Sequence, residues 1–126
     1  MRPHDEWLKK SIQDLKSAKR LKEGDEPLLD TAAYHTQQTV EKALKGFLAY
    51  HNKPLVKTHD LIELVDYCVE IDSEFKELYD MVDEINPYST AFRYPGGLSE
   101  PEYFEVDVVI KYAEKILSVV KKKIDS

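Results

Sequence analysis

The stretch "YHTQQTVEKALKGFLAY", residues 34–50, carries a helical apolar period with an unusual polar filling. At 100° per residue, Thr36, Val40, Leu44 and Phe47 share one face, and Leu29, Ala33 and Ala43 extend the same stripe. Tyr34, Gln38, Glu41 and Lys45 run along the opposite flank, with Gln37 at the boundary. Glu41 precedes Lys45 by four residues, the favourable orientation for a helix ion pair, worth only about 0.2 to 0.5 kcal/mol. An exposed pair of that kind explains the flank structurally. A site needing amides, a carboxylate and an ammonium on one flank explains it functionally.

Outward from that helix the apolar period stays helical. The helix runs from about Leu28 to His51 and stops at "HNKP", because the position before Pro54 disfavours helical backbone. Ahead of it, about Asp5 to Glu23 set Trp7, Leu8, Ile12, Leu15 and Ala18 on one side, and "EGDEP" breaks the pattern. In "KTHDLIEL", Thr58 or Asp60 can cap a third helix reaching about Ile71, with Asp60 and Glu63 at capping-box spacing. Ser73 opens a fourth, carrying Phe75, Leu78, Tyr79, Val82 and Ile85. "NPYSTAFRYPGGLSEP" is the one long irregular segment. It ends with Ser99 as a cap, Pro101 in the first turn and Glu102 at the box position of a last helix reaching about Ile124.

Phe104 to Val108 alternates at period two, but its cap and the apolar continuation favour helix. The expected fold is therefore all-α, a single domain over residues 1–126. It is an antiparallel up-and-down bundle of four long helices and one shorter one, closed by short loops. The last helix is apolar over a wide arc, including Val106, Val108, Val109, Ile116, Val119 and Val120. One core face cannot use all of it, so a homodimer is expected.

Composition excludes several classes. The 126 residues are 42% hydrophobic and 33% charged, a globular balance, and no apolar run nears the roughly 20 residues of a membrane span. "MRPHDEW" lacks a charged-then-apolar leader, so the default location is the cytoplasm, with no membrane contact. Cys68, the single cysteine, sits at apolar spacing in "LIELVDYCVEI" and reads as buried filler. The net charge of −6 disfavours indiscriminate binding to nucleic-acid phosphates. Among 18 cations only Arg2, Arg20 and Arg93 are arginines. No metal-ligand spacing, phosphate loop or nucleophile elbow is present, and neither a metal nor a cofactor is expected.

Three segments in order carry a resemblance. "QQTVEKALKGFL" resembles the QQ-x-x-E-K-A-L-K helix of the HEPN family, the nucleotide-binding domains of higher eukaryotes and prokaryotes; "KTHDLIEL" and "FRYPG" resemble two further segments of that family. Trp7 and the Asp14-Leu15…Ala18 pattern in the first helix fit as well. The resemblance spans nearly the whole chain. It implies a small, usually dimeric helical bundle that pairs with a minimal nucleotidyltransferase, in many cases as a toxin–antitoxin system. Other members are metal-independent RNases, which carry an Arg followed by four to six residues and a His. Here Leu98, Ser99 and Glu100 stand at those distances after Arg93, and no His follows His59. The tyrosine that the partner enzyme adenylylates in that motif has no matching position either. RNase activity by that route is not expected.

The candidate site is thus a binding site. Arg93 offers a planar cation for phosphate, and Tyr94 a face for a base, just before a helix start. Arg93 equally suits an ion pair with Glu41 or an acid of the fourth helix. His59 is a site candidate through the resemblance, or a local hydrogen-bond partner of its loop. Gln38, Glu41 and Lys45 are expected to face the same pocket as Arg93 and to lie outside the core stripe. The leading expectation is a non-catalytic module that binds a nucleotide or RNA. An RNase using Arg93, His59 and Glu41, or a purely structural interaction domain, are the alternatives.

Overall fold

One helix, Leu29–Tyr50, forms the axis of the molecule. The computed structural model describes residues 2–90 and 100–125, and in order they form α1 (Pro3–Lys22), α2 (Leu29–Tyr50), α3 (Leu61–Ile71), α4 (Tyr79–Ile85) and α5 (Tyr103–Asp125). No strand occurs among the described residues. α4 is the short helix, set between the 3-10 helices Ser73–Leu78 and Asn86–Ser89. The single fourth helix expected from Ser73 onward is thus split, its first part wound tighter. Asp72 starts that turn by accepting from the Glu74 N–H at 3.0 Å.

Pairing partners fix the helix directions. Ser11 meets Thr39 and Leu21 meets Leu28, so α1 runs antiparallel to α2. Lys19 meets Glu114 and Lys22 meets Asp107, so α1 is antiparallel to α5 as well. α2 packs against α1, α3, α4 and α5, which is why most of its circumference is buried. The main core gathers Val40, Leu44 and Phe47 of α2 with Leu64, Val65, Phe75, Val82, Val109, Ile116 and Val120. The Phe47 and Phe75 rings lie 4.5 Å apart and tilted, a favourable aromatic contact. Cys68 is fully buried beside the Leu44 carbonyl, and burial pushes its thiol up to about 12, which leaves it inert as a nucleophile.

Two helix ends position the site. α2 closes with the Lys53 N–H on the Leu48 carbonyl at 3.0 Å and the Asn52 N–H on the Ala49 carbonyl at 2.9 Å. Asn52 adopts φ 59°, the left-handed turn that this double closure needs and that Asn tolerates. The chain then doubles back along α2 through residues 51–60, a longer connection than the short loops expected. Asp60 caps α3 by accepting from the Ile62 N–H, while the Thr58 hydroxyl accepts from the Asp60 N–H. Glu63 does not complete a capping box; it accepts from the Tyr67 hydroxyl instead. α5 starts at Tyr103, with Pro101 and Glu102 ahead of it, and Ser99 lies outside the described residues. Its inner residues Val106, Val109, Ile116 and Val120 are covered by this chain's own core. Tyr103 and Phe104 are the exposed large apolar residues of α5.

Candidate functional site

The polar flank of α2 is half-buried at Tyr34 and Gln38 and fully buried farther along. Glu41 is 4% exposed and Lys45 7%, and Gln37, read as a boundary residue, is wholly enclosed. The helical wheel misleads here because the returning segment 51–60 covers a flank that a bare two-helix contact would leave wet. The expectation that this flank lies outside the core is therefore corrected.

Glu41 is the hub of what the fold assembles. Its Oε1 lies 3.0 Å from Nδ1 of His59 and accepts from the side-chain amides of Gln37 at 3.3 Å and Gln38 at 3.5 Å. Its Oε2 accepts from the Lys45 ammonium at 3.0 Å, the ion pair expected from the i,i+4 spacing. Gln37 also donates to the His59 carbonyl at 3.1 Å and accepts from Gln38 at 2.7 Å, so it clamps the returning segment onto α2. Lys45 lies 5.7 Å from the centre of the Trp7 ring, a cation–π contact that ties α1 into the cluster.

The exposures within this cluster are unequal. The Glu41 side chain is 5% exposed, whereas that of His59 is 74% exposed. A hydrogen bond from Nδ1 to this carboxyl oxygen engages one ring nitrogen of His59 and leaves Nε2, on a largely exposed ring, without a partner among the described residues. A buried acid thus orients a surface imidazole, an arrangement able to hydrogen-bond a ligand or to accept a proton. Of the sequence candidates, the structure brings Gln38, Glu41, Lys45 and His59 into one network. Arg93 and Tyr94 lie outside the described residues.

A second polar cluster had not been singled out. Asp14 of α1, 8% exposed, lies 2.8 Å from Nδ1 of His35 and accepts from Lys42 at 2.6 Å. No sequence spacing announces a contact between helices; the one available signal was an acid on the apolar side of α1, beside Leu15 and Ala18. His51, at the end of α2, is exposed, and its ring lies tilted with its centre 4.7 Å from that of Phe47. Among the described residues no group of three or more His, Cys, Asp or Glu side chains is arranged to hold a metal ion. No helix is long and apolar enough to cross a membrane among the described residues.

Comparisons with known proteins agree with this fold. The family model described as the HEPN domain matches residues 4–123. No curated protein matches the sequence. Two solved structures are similar over nearly their whole length. TT1696 from Thermus thermophilus is 24% identical, with a TM-score of 0.80 over 98% of this chain and 99% of that chain. ST0689, an archaeal HEPN homologue, is 25% identical, with a TM-score of 0.77 over the same shares.

Proposed function

The chain belongs to the HEPN domain family, and from that premise we propose that it is a nucleotide- or RNA-binding module partnering a minimal nucleotidyltransferase. It has no Arg-x(4–6)-His motif, so it is read as lacking RNase activity by that route. A cytoplasmic homodimer acting within a toxin–antitoxin pair is the corresponding biological setting.

One observation carries the reading: buried Glu41 is shared between Lys45 and the exposed His59. Sinking a carboxylate and an ammonium costs several kcal/mol of desolvation each, and apolar residues of like volume commonly stabilise as well or better. A pair of this kind is a poor choice for stability alone. It suits a rim where an imidazole, an amide and an ammonium meet phosphate, sugar or base edges. The test is a pull-down from the native cell, with bound protein and bound small molecules both identified. A co-purifying nucleotidyltransferase supports the partnership, and a partner of any other class contradicts it.

A second reading has its own support. A carboxylate behind Nδ1 leaves Nε2 of His59 as a base, which suits metal-independent RNA cleavage with a divergent site. Cleavage of RNA in the presence of a chelator, lost in His59→Ala, would favour it over simple binding.

A further inference from the structure

Lys45 also lines a groove beside Trp7. The groove, about 350 Å³, lies between the start of α1 and the segment that leaves α2, walled by Trp7, Leu48, Pro54, Leu55 and Val56. The ionisable residues lining it are Lys45 and Lys53. Lys45 is buried, and Lys53 is exposed with no ion-pair partner among the described residues. In a chain of net charge −6, a groove lined by two lysines and no acidic residue stands apart, with Lys53 its uncompensated charge and Lys45 already paired with Glu41. Other grooves between described residues mix both signs: one sets Lys19 and Lys22 beside Glu114 and Asp107, another sets Lys122 and Lys123 beside Glu74 and Glu77.

The helix termini favour the same charge. The groove includes Pro3, in the first turn of α1, a helix start without a side-chain cap, although Asp5 and Glu6 stand in the same turn and their N–H groups donate to the Arg2 carbonyl. At the C-terminus of α2, where free carbonyls would repel an anion, those of Ala49 and Leu48 are occupied by the N–H groups of Asn52 and Lys53. Leu55 is 61% exposed, a large apolar residue presented to whatever fills the groove.

We propose that this groove is a subsite for a planar aromatic ring bearing a phosphate, the ring lying against Trp7 and Leu55 and the phosphate meeting Lys45 and Lys53. The inference rests on the nucleotide-binding reading above and names the unit bound. The volume is at the lower end of the roughly 300 to 1,000 Å³ of small-molecule sites, which suits one nucleotide monophosphate. Lys45, on Glu41 from one side and in the groove from the other, joins this subsite to the His59 rim.

Trp7 is the single tryptophan and lines the groove, so its emission reports on that one position. AMP, GMP, a short RNA, ribose 5-phosphate and inorganic phosphate are titrated against the whole chain and its Lys53→Glu and Leu55→Asp variants, following calorimetry and Trp7 emission together. Both substitutions are at exposed positions, and circular dichroism checks the fold. The expected result is a saturable Trp7 change with AMP or GMP and weaker binding of the two ring-free anions. Each variant should lose at least about tenfold in affinity. Mononucleotide binding that leaves Trp7 emission unchanged, or that is equal in the variants, overturns the subsite and leaves the nucleotide-binding reading standing. Inorganic phosphate binding as tightly as AMP also overturns it. No calorimetric binding of AMP, GMP or a short RNA overturns both.

Discussion

Nδ1 of His59 lies 3.0 Å from Oε1 of Glu41, joining a largely exposed imidazole to a carboxylate enclosed by the fold. The acid belongs to the central helix, and the histidine to a segment that only the doubling back of residues 51–60 brings alongside. Positioning and solvent access are thus divided between the two residues, and their substitutions should separate.

Replacing Glu41 should damage the fold. Glu41→Gln leaves the Lys45 ammonium buried without its counter-charge, a loss of about 3 kcal/mol. Adding Lys45→Met removes the stranded charge and should restore much of that. Urea denaturation of both variants measures the difference. A double variant no more stable than Glu41→Gln would show that the pair is not coupled in this way.

Replacing His59 should leave the fold alone. Its exposure limits the stabilising worth of the Glu41 contact to about 1 kcal/mol or less. His59→Ala should therefore unfold close to the unmodified protein while losing about tenfold in affinity for a nucleotide or short RNA. A large fall in stability would make His59 a structural residue.

Gly46 tests the joint between α1 and α2. A Cβ there would sit 3.3 Å from Cβ of Trp7 and 3.5 Å from Cδ2 of Leu8. The Trp7 atom is fixed to the α1 backbone, so α1 itself must give. The helical gain of about 1 kcal/mol for Gly→Ala should be cancelled, and Gly46→Val should cost about 1 to 3 kcal/mol. Thermal unfolding reads the sign; a clear rise in Tm for Gly46→Ala would show that the helices part easily.

Acid stability depends on carboxylates away from the site. The Lys22 and Lys111 ammoniums hold the Asp107 carboxyl below its usual range, and Lys123 with the Glu74 N–H does the same for Asp72. A depressed folded-state pKa adds stability above the unfolded value of about 3.9 and loses it as pH falls through the folded value. These two carboxylates should therefore make a small contribution that is lost below about pH 4. Asp72→Asn with Asp107→Asn should be weaker near neutrality and lose less on acidification. Urea midpoints at about pH 7 and pH 3 check this, and parallel losses in both proteins would contradict it.

The helices were legible because apolar spacing and breakers act locally: Pro54, Asp60 and the stripe through Val40, Leu44 and Phe47 each mark a local event. The burial of Glu41 was not, since it depends on where residues 51–60 return. One clue was present: between Thr31 and Tyr50 the only charged residues are Glu41, Lys42 and Lys45, in a chain that is 33% charged. A helix so sparsely charged is wrapped on more than one side. The Asp14–His35–Lys42 cluster was illegible for a related reason, being made by two helices whose register no single stretch states. The splitting of the helix after Ser73 depends on how Phe75 and Leu78 reach the core, a tertiary matter.

The central claim is that the network around Glu41 forms a binding rim rather than a strut. The direct measurement is calorimetric titration of ATP, GTP and a short RNA into the unmodified protein and into His59→Ala, with the fold of both verified. The account predicts saturable binding of at least one ligand and a loss of about tenfold in the variant. Equal binding by both proteins, or binding by neither, would contradict it.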